Sequence, residues 1–425
     1  MFGHPLSRFA RVLFLALVAL APLNALPVGA SGTDALGIPT YRVTDLGTLG
    51  GTWSIAYGLN DRGQVVGIAN VAGDANWHGF LWQNGVMTDL GTLGGGNSYA
   101  IGISASSVVT GGSETTDPNG DDFCTNGIVG TTAVCHTFNW KNGVMTDLGT
   151  LGGLNSGSNA INDRQQISAQ SEITATDPNF GFPEAHAALY QRGTIHDLGA
   201  IGGPLSWGNG INNRGELTGA SSLSFDVDPT IGWYDFHAVL FDHGTIQDLG
   251  TLGGTFSNGI GINQGGQVTG YSLTANDAAS VPFIWQDGTM TAINPVAGDS
   301  VGTGWGISDS GQVVGSSGPI TAPVHAFIWS HGATTDLNTR IPANSGWQLT
   351  WATGINARGQ IVGQGIIGGQ YHAFLLTPSS SGEAAIELGT TVSAASVLAH
   401  VPAPTESERR LLAWWQSGFG MKRGR

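Results

Sequence analysis

Charge, cysteine and long apolar runs are all scarce in this chain. Charged residues make up 11% of 425 residues, with Lys plus Arg at 15 against Asp plus Glu at 30, a formal net charge of −15. Binding to a phosphate backbone needs clustered Lys and Arg, so nucleic acid is not an expected partner. The longest apolar stretch, Val12 to Leu26, is interrupted by Pro22 and is short for a stable membrane crossing. No membrane span is expected in the mature chain.

That stretch follows Arg8 and Arg11 and leads into Val28-Gly29-Ala30, the order of a secretory signal with its small-residue cleavage site. Residues 1–30 therefore read as a signal peptide, and the mature protein as secreted, extracellular or periplasmic. The only cysteines, Cys124 and Cys135, share one loop. In an oxidising compartment they are expected to pair, for a contribution of ~2–4 kcal/mol; two unpaired thiols are the alternative.

What the chain has in abundance is glycine, 68 residues, and repetition. DLGTLGG begins at Asp45, Asp89, Asp147 and Asp248, DLGAIGG at Asp197, and degraded copies follow at Ala292 and Asp336. Self-similarity at a fixed spacing signals a repeat architecture. Each unit contains four strand-like pieces. The first is a small-residue segment such as Ala56 to Asn60, and the second a G-Q-V-V-G segment such as Gly311 to Gly315. The third resembles H-A-F-L-W, as at His325 to Trp329, and the fourth leads into D-L-G. Asn84-Gly85, Asn142-Gly143 and Asp287-Gly288 supply the positive φ that tight hairpins require.

Seven such units of antiparallel strands predict an all-β, seven-bladed β-propeller of four-stranded blades over residues 41–378. Tyr41 to Leu46 is a fourth-piece strand with no unit before it, and His372 to Thr377 a third-piece strand with none after it. Pairing them closes the last blade with the N-terminal strand and removes an exposed sheet edge. The first strand, rich in Gly and Ala, is expected innermost, where blades converge. Residues 379–425 read as a linker and a C-terminal tail with little structural signal.

The linked motifs D-L-G-T-L-G-G, G-I-N-x-x-G-Q-V-V-G and His-Ala-Phe, the last at His325-Ala326-Phe327 and His372-Ala373-Phe374, resemble the HAF family of probable extracellular repeat proteins. The resemblance covers Tyr41 to Pro378. It implies an exported, propeller-like protein and brings no catalytic residues with it. Val401-Pro402-Ala403-Pro404 and the basic end Lys422 to Arg425 resemble the outer parts of a C-terminal sorting signal. Glu406, Glu408, Arg409 and Arg410 interrupt where its apolar span would lie, and such charges are costly in a membrane.

Residues repeated around a ring indicate architecture. The histidines His78, His136, His186, His237, His325 and His372, and the aspartates of each D-L-G, are therefore expected to hold blades together. Residues that break the repeat point elsewhere. The connections between second and third pieces are long in three adjacent units, Gly112 to Cys135, Gln170 to Ala185 and Ala220 to Phe236, and long loops on a rigid scaffold commonly carry binding.

Trp77, Phe180, Phe182, Trp233 and Tyr234 are candidates for ligand contact, since rings beside carboxylates and amides suit sugars; packing of the loops onto the blades is the alternative. Asp117, Asn119, Asp121 and Asp122 beside Gly120 have the oxygen spacing of a calcium loop without the distal Glu, so a plain polar turn is the favoured reading and calcium the alternative. Glu184, Asp226, Asp228 and Asp235 would have to lie about 5–9.5 Å apart to act as an acid/base pair on a glycoside.

The expected function is a non-catalytic binding module for a glycan or a cell-envelope protein, acting as a monomer. A carbohydrate-active hydrolase and a structural surface protein are the alternatives.

Overall fold

A computed structural model describes residues 37–118, 133–229, 232–319 and 324–379. The segment read as a signal peptide, the C-terminal tail, Cys124, Phe123, Asn119, Asp121 and Asp122 lie outside the described residues.

The chain forms a β-propeller of four-stranded antiparallel blades. Six units follow one another at residues 50–89, 94–147, 156–197, 206–248, 253–292 and 301–336, each a meander of four strands in sequence order. Three further strands, Gln348–Ile355, Ile361–Ile367 and Gln370–Pro378, make up the last sheet together with Tyr41–Gly47. The N-terminal strand runs antiparallel to Gln370–Pro378, in register from Tyr41 opposite Pro378 to Gly47 opposite Ala373.

The expectation of seven separate four-stranded sheets needs correction. Five sheets have four strands, whereas the fourth and fifth units share one eight-stranded sheet. The join is a single parallel pair, Phe236 with Phe256, whose rings pack with centroids 5.6 Å apart. Two bulky rings at this crossing draw the third strand of one unit onto the first strand of the next.

The repeated polar residues hold the units together. In five blades the His Nδ1 meets the D-L-G carboxylate at 2.7–3.0 Å: His78 with Asp89, His136 with Asp147, His186 with Asp197, His237 with Asp248 and His372 with Asp45. The same carboxylates accept the amide of the glycine two residues on at 2.7–2.8 Å, which closes the turn that starts the crossover. In the sixth unit His325 turns instead to Asp299 at 2.8 Å, and Asp336 accepts the Asn338 amide.

A serine in the inner strand of the first five units acts between units. Ser54 Oγ donates to the Gly47 carbonyl and accepts the Ala373 amide; Ser98 and Ser257 do the same one unit apart from their neighbours. At the hairpin tips Asn60, Asn162, Asn212, Asn263 and Asn356 each donate to a carbonyl of the adjacent unit, and Asn356 reaches Asn60.

The inner strands share one irregularity. In the A-x-G segments the register slips at the middle residue, leaving Tyr57, Ile101, Asn159, Ile260, Trp305 and Thr353 unmatched by the second strand; Asn209 and Gly210 are bypassed together. A bulge leaves its extra side chain free to be aimed away from the ladder. Asn159, Asn209 and Thr353 each donate to the carbonyl just before the bulge of the next unit, Gly208, Gly259 and Ala56, at 2.7–2.8 Å. Tyr57 and Trp305 instead join Trp53, Ile55, Tyr99 and Trp351 in one buried cluster, with Ile101 and Ile260 against it.

The glycine that follows most of these bulges, replaced by Ala160 in the third unit, is a close-approach residue. A Cβ on Gly58 would lie 2.3 Å from the Ile101 carbonyl oxygen, and one on Gly354 would lie 3.1 Å from that of Tyr57. This is the physical content of the small-residue innermost strand read from the sequence.

Candidate functional site

The two long connections within the described residues, in the third and fourth units, are built alike. Asp177-Pro178 and Asp228-Pro229 each open a turn in which the aspartate carbonyl accepts the amide of Gly181 or Gly232, at 2.9 and 2.8 Å. Its amide in turn donates to the carbonyl of the next residue, Phe182 or Trp233. Both glycines take positive φ, 74° and 69°, which glycine adopts without a Cβ penalty. The recurrence of Asp-Pro, legible in the sequence, thus places Phe182 and Trp233 at equivalent points of neighbouring turns.

Those two rings lie against each other, centroids 5.7 Å apart and planes inclined by 28°. Phe180 completes the group, 4.6 Å from Trp233 and 5.8 Å from Phe182. All three rings are half-buried. Offset stacks of this kind are worth about 0.5–1.5 kcal/mol each beyond the burial of their area, so the shelf they form is preorganised.

Its support comes from beneath. Tyr234 is fully buried, meets the edge of Phe180 at 5.4 Å, and donates its hydroxyl to Asp177 Oδ2 at 2.6 Å. Burial, and then that bond to a carboxylate, push the Tyr234 hydroxyl well above the usual tyrosine range. Asp177 Oδ1 accepts the amides of Asn179 and Phe180. Asn179 in turn donates to the Phe225 carbonyl and to the Tyr234 hydroxyl, tying one turn to the other. Asp177 and Asn179 were not among the sequence candidates; their only signal was the shared Asp-Pro.

The five aromatic candidates therefore divide. Phe180, Phe182 and Trp233 come together at the surface of the long-loop face. Tyr234 supports them from the core. Trp77, 8% exposed, lies apart in the buried cluster with Trp53 and Tyr99, and its amide is held by Asn97.

The four carboxylates also divide. Burial raises Glu184 above the usual carboxylate range, with His186 opposing and Asp177 adding to the shift. Burial raises Asp235 as well, but there the neighbouring charges are Asp228, His237 and Asp277. Asp226 is exposed and bonded to its own Ser224. The groups facing Glu184 are thus His186 and Asp177, whereas Asp235 faces Asp228, itself one of the four.

No family model matches the chain, and no curated protein matches it. Among solved structures it is similar to the β-propeller domain of the Trilobed protease from Pyrococcus furiosus. Identity is 9% and the TM-score 0.49, over 78% of this chain and 97% of that one. It is also similar to an oligogalacturonate lyase in complex with manganese, at 11% identity and TM-score 0.47, over 83% of this chain and 96% of that one. TolB from Acinetobacter baumannii gives 11% identity and TM-score 0.40, over 78% and 65%. Likenesses this distant transfer neither a ligand nor a reaction.

Of the calcium candidates, Asp117 alone is described, and its carbonyl accepts the Val134 amide. Among the described residues no group of three His, Cys, Asp or Glu side chains is placed to hold a metal ion. None of their helices is long and apolar enough to cross a membrane. Cys135 is fully buried at the start of the strand Cys135–Lys141, and its amide is held by Asn155.

Proposed function

We propose that the protein is a non-catalytic binding module that takes a glycan on the shelf of Phe180, Phe182 and Trp233. The observation that carries this reading is the near-parallel pair Phe182 and Trp233, half-exposed and backed by the buried Tyr234–Asp177 bond. Apolar sugar faces stack on rings held in this way, and a rigid shelf loses little freedom on binding. The scaffold reading is that the fourth and fifth units count as two blades, giving seven, with the ring closed by Tyr41–Gly47. Its support is the antiparallel register of that strand and the bonds from the last sheet to Ser54, Ala56 and Asn60.

A glycan array with purified mature protein tests the shelf, run with and without Ca²⁺ to include the proposed Asp117 to Asp122 site. The Phe182→Ala/Trp233→Ala double variant is expected to lose at least tenfold in affinity for any bound glycan. Tyr234→Phe, which keeps the shelf rings, serves as the comparison for altered packing beneath them. Equal binding by the double variant and the unchanged chain would remove the shelf from recognition. An array silent for the unchanged chain would turn the search to a cell-envelope protein.

Export and thiol pairing belong to the same proposal, together with membership of the HAF family. The chain recovered outside the cytoplasm is expected to begin near residue 31. Its intact mass is expected to rise by about 2 Da on reduction, for one Cys124–Cys135 bond.

A further inference from the structure

The shelf lies at the end of the sheets where second and third strands connect. At the other end, among the short hairpins, a cleft of about 610 Å³ opens between the third and fourth units. Its charge is unlike that of the rest of the protein. Within the described residues Lys and Arg occur at Arg42, Arg62, Lys141, Arg164, Arg192, Arg214, Arg340 and Arg358. Arg164, Arg192 and Arg214 all line this one cleft, with His196 and His243.

The carboxylates nearby are already engaged. Asp197 holds His186 and the Gly199 amide, Glu216 holds Arg214 and Asn212, and Asp242 is bonded to His243. The guanidinium groups of Arg164 and Arg192 have no carboxylate partner among the described residues. Gln166, Gln191 and Thr245 add amide and hydroxyl groups to the walls, and Leu198 and Phe241 are apolar.

Arg192 and His196 depart from the residues that most units carry at their positions. Arg192 occupies the first hairpin position, filled elsewhere by Asn84, Asn142, Asp287, His243 and His331, all with φ of 45–52°. Asn and Asp tolerate this left-handed conformation better than other non-glycine residues. An arginine held there at φ 53° stores a strain of the kind that collects at functional sites. His196 stands where other units have Thr88, Thr146, Thr291, Thr335 and, in the fourth, Gln247. The matching cleft between the fifth and sixth units shows the contrast: it is lined by Asp287, Gln267 and His331 and holds no arginine.

We propose that the cleft between the third and fourth units binds an acidic oligosaccharide, its carboxylates on Arg164 and Arg192 and its hydroxyls on the amide and Thr245 groups. Arginine matches a carboxylate bidentately. The volume exceeds what a single inorganic anion fills and suits a ligand of a few sugar rings. The strongly negative net charge of the chain disfavours a long phosphodiester backbone on the same site. This inference is independent of the aromatic shelf and stands if the shelf binds nothing.

The test is calorimetric titration of the mature protein, at low and at moderate salt, with a uronic-acid oligosaccharide, its neutral counterpart, inorganic sulfate and a short single-stranded DNA. The variant Arg164→Gln/Arg192→Asn places the repeat's own residue at the strained hairpin position, so folding is preserved and is checked by melting. Arg62→Gln, at the repeat position of Arg164 but outside the cleft, is the control. The expected result is binding of the uronate alone or well above sulfate, weakened by salt, lost at least tenfold in the double variant and unchanged in Arg62→Gln. Absence of uronate binding, equal binding of the neutral sugar, preference for DNA, or an equal loss in Arg62→Gln would each overturn the proposal.

Discussion

A mature chain shortened to begin at residue 48 is expected to lose its cooperative thermal transition and to aggregate. The missing segment carries Ile38, Tyr41 and Leu46, which are 0%, 1% and 5% exposed and pack with Leu337, Leu349 and Phe374 in one cluster and Phe80 and Leu375 in another. Burying three such side chains is worth roughly 4–9 kcal/mol, comparable with the entire stability of an ordinary domain at about 5–15 kcal/mol. The truncation also leaves Gln370–Pro378 as an open edge, with backbone groups that invite another chain, and His372 without Asp45. Circular dichroism melting and gel filtration read the result. A shortened chain that stays monomeric and melts at the original temperature would show that the strand contributes little to holding the last sheet.

Gly219→Ala is expected to destabilise the fold by about 1–3 kcal/mol, the usual cost of forcing extra volume into a packed interior. A Cβ at Gly219 would lie 1.8 Å from the Trp207 carbonyl oxygen, and Trp207 is fixed by its indole bond to Asn258 and its packing on Phe236. The closing glycine of the other G-Q-V-V-G segments meets the same obstacle: 1.7 Å at Gly111, 1.8 Å at Gly270 and 1.9 Å at Gly363. The third unit carries Ala169 there, paired with Ser158, so its strand pair already accommodates a methyl group. Chemical denaturation of Gly219→Ala beside Ala169→Gly distinguishes a steric requirement from a general one. An unchanged midpoint for Gly219→Ala would mean that the fourth unit relaxes as the third has done.

The architecture was legible because each polar letter of the repeat has one task. Asp of D-L-G, His of H-A-F, Ser of the inner strand and Asn of the hairpin each make the same bond in nearly every unit, so their spacing carries the strand order. The parallel join of Phe236 and Phe256 was not legible, since it depends on how two rings meet across a crossover and neither belongs to the motif. The candidate site was half legible. Aromatic residues in the long connections of the third and fourth units stood out, but composition does not tell a ring facing solvent from one facing the core. Trp77 and Tyr234 fell on the inner side. The arginine-lined cleft escaped because its members come from two different hairpins in each of two units, and only their departure from the repeat marked Arg192 and His196.

The bulge in every inner strand separates two properties that most folds keep entangled. Because the bulged side chain takes no part in sheet pairing, its size and polarity are set independently of the ladder that carries the blade. Each unit thereby contributes one interchangeable letter to the centre of the molecule. At present Trp305 and Tyr57 fill their positions with rings, while Asn159, Asn209 and, between those two rings, Thr353 bridge to the next unit with hydrogen bonds. A lineage that exchanged these letters would redraw the bore, from a sealed plug to a wet passage, while the outer strands continued to fold to the same plan.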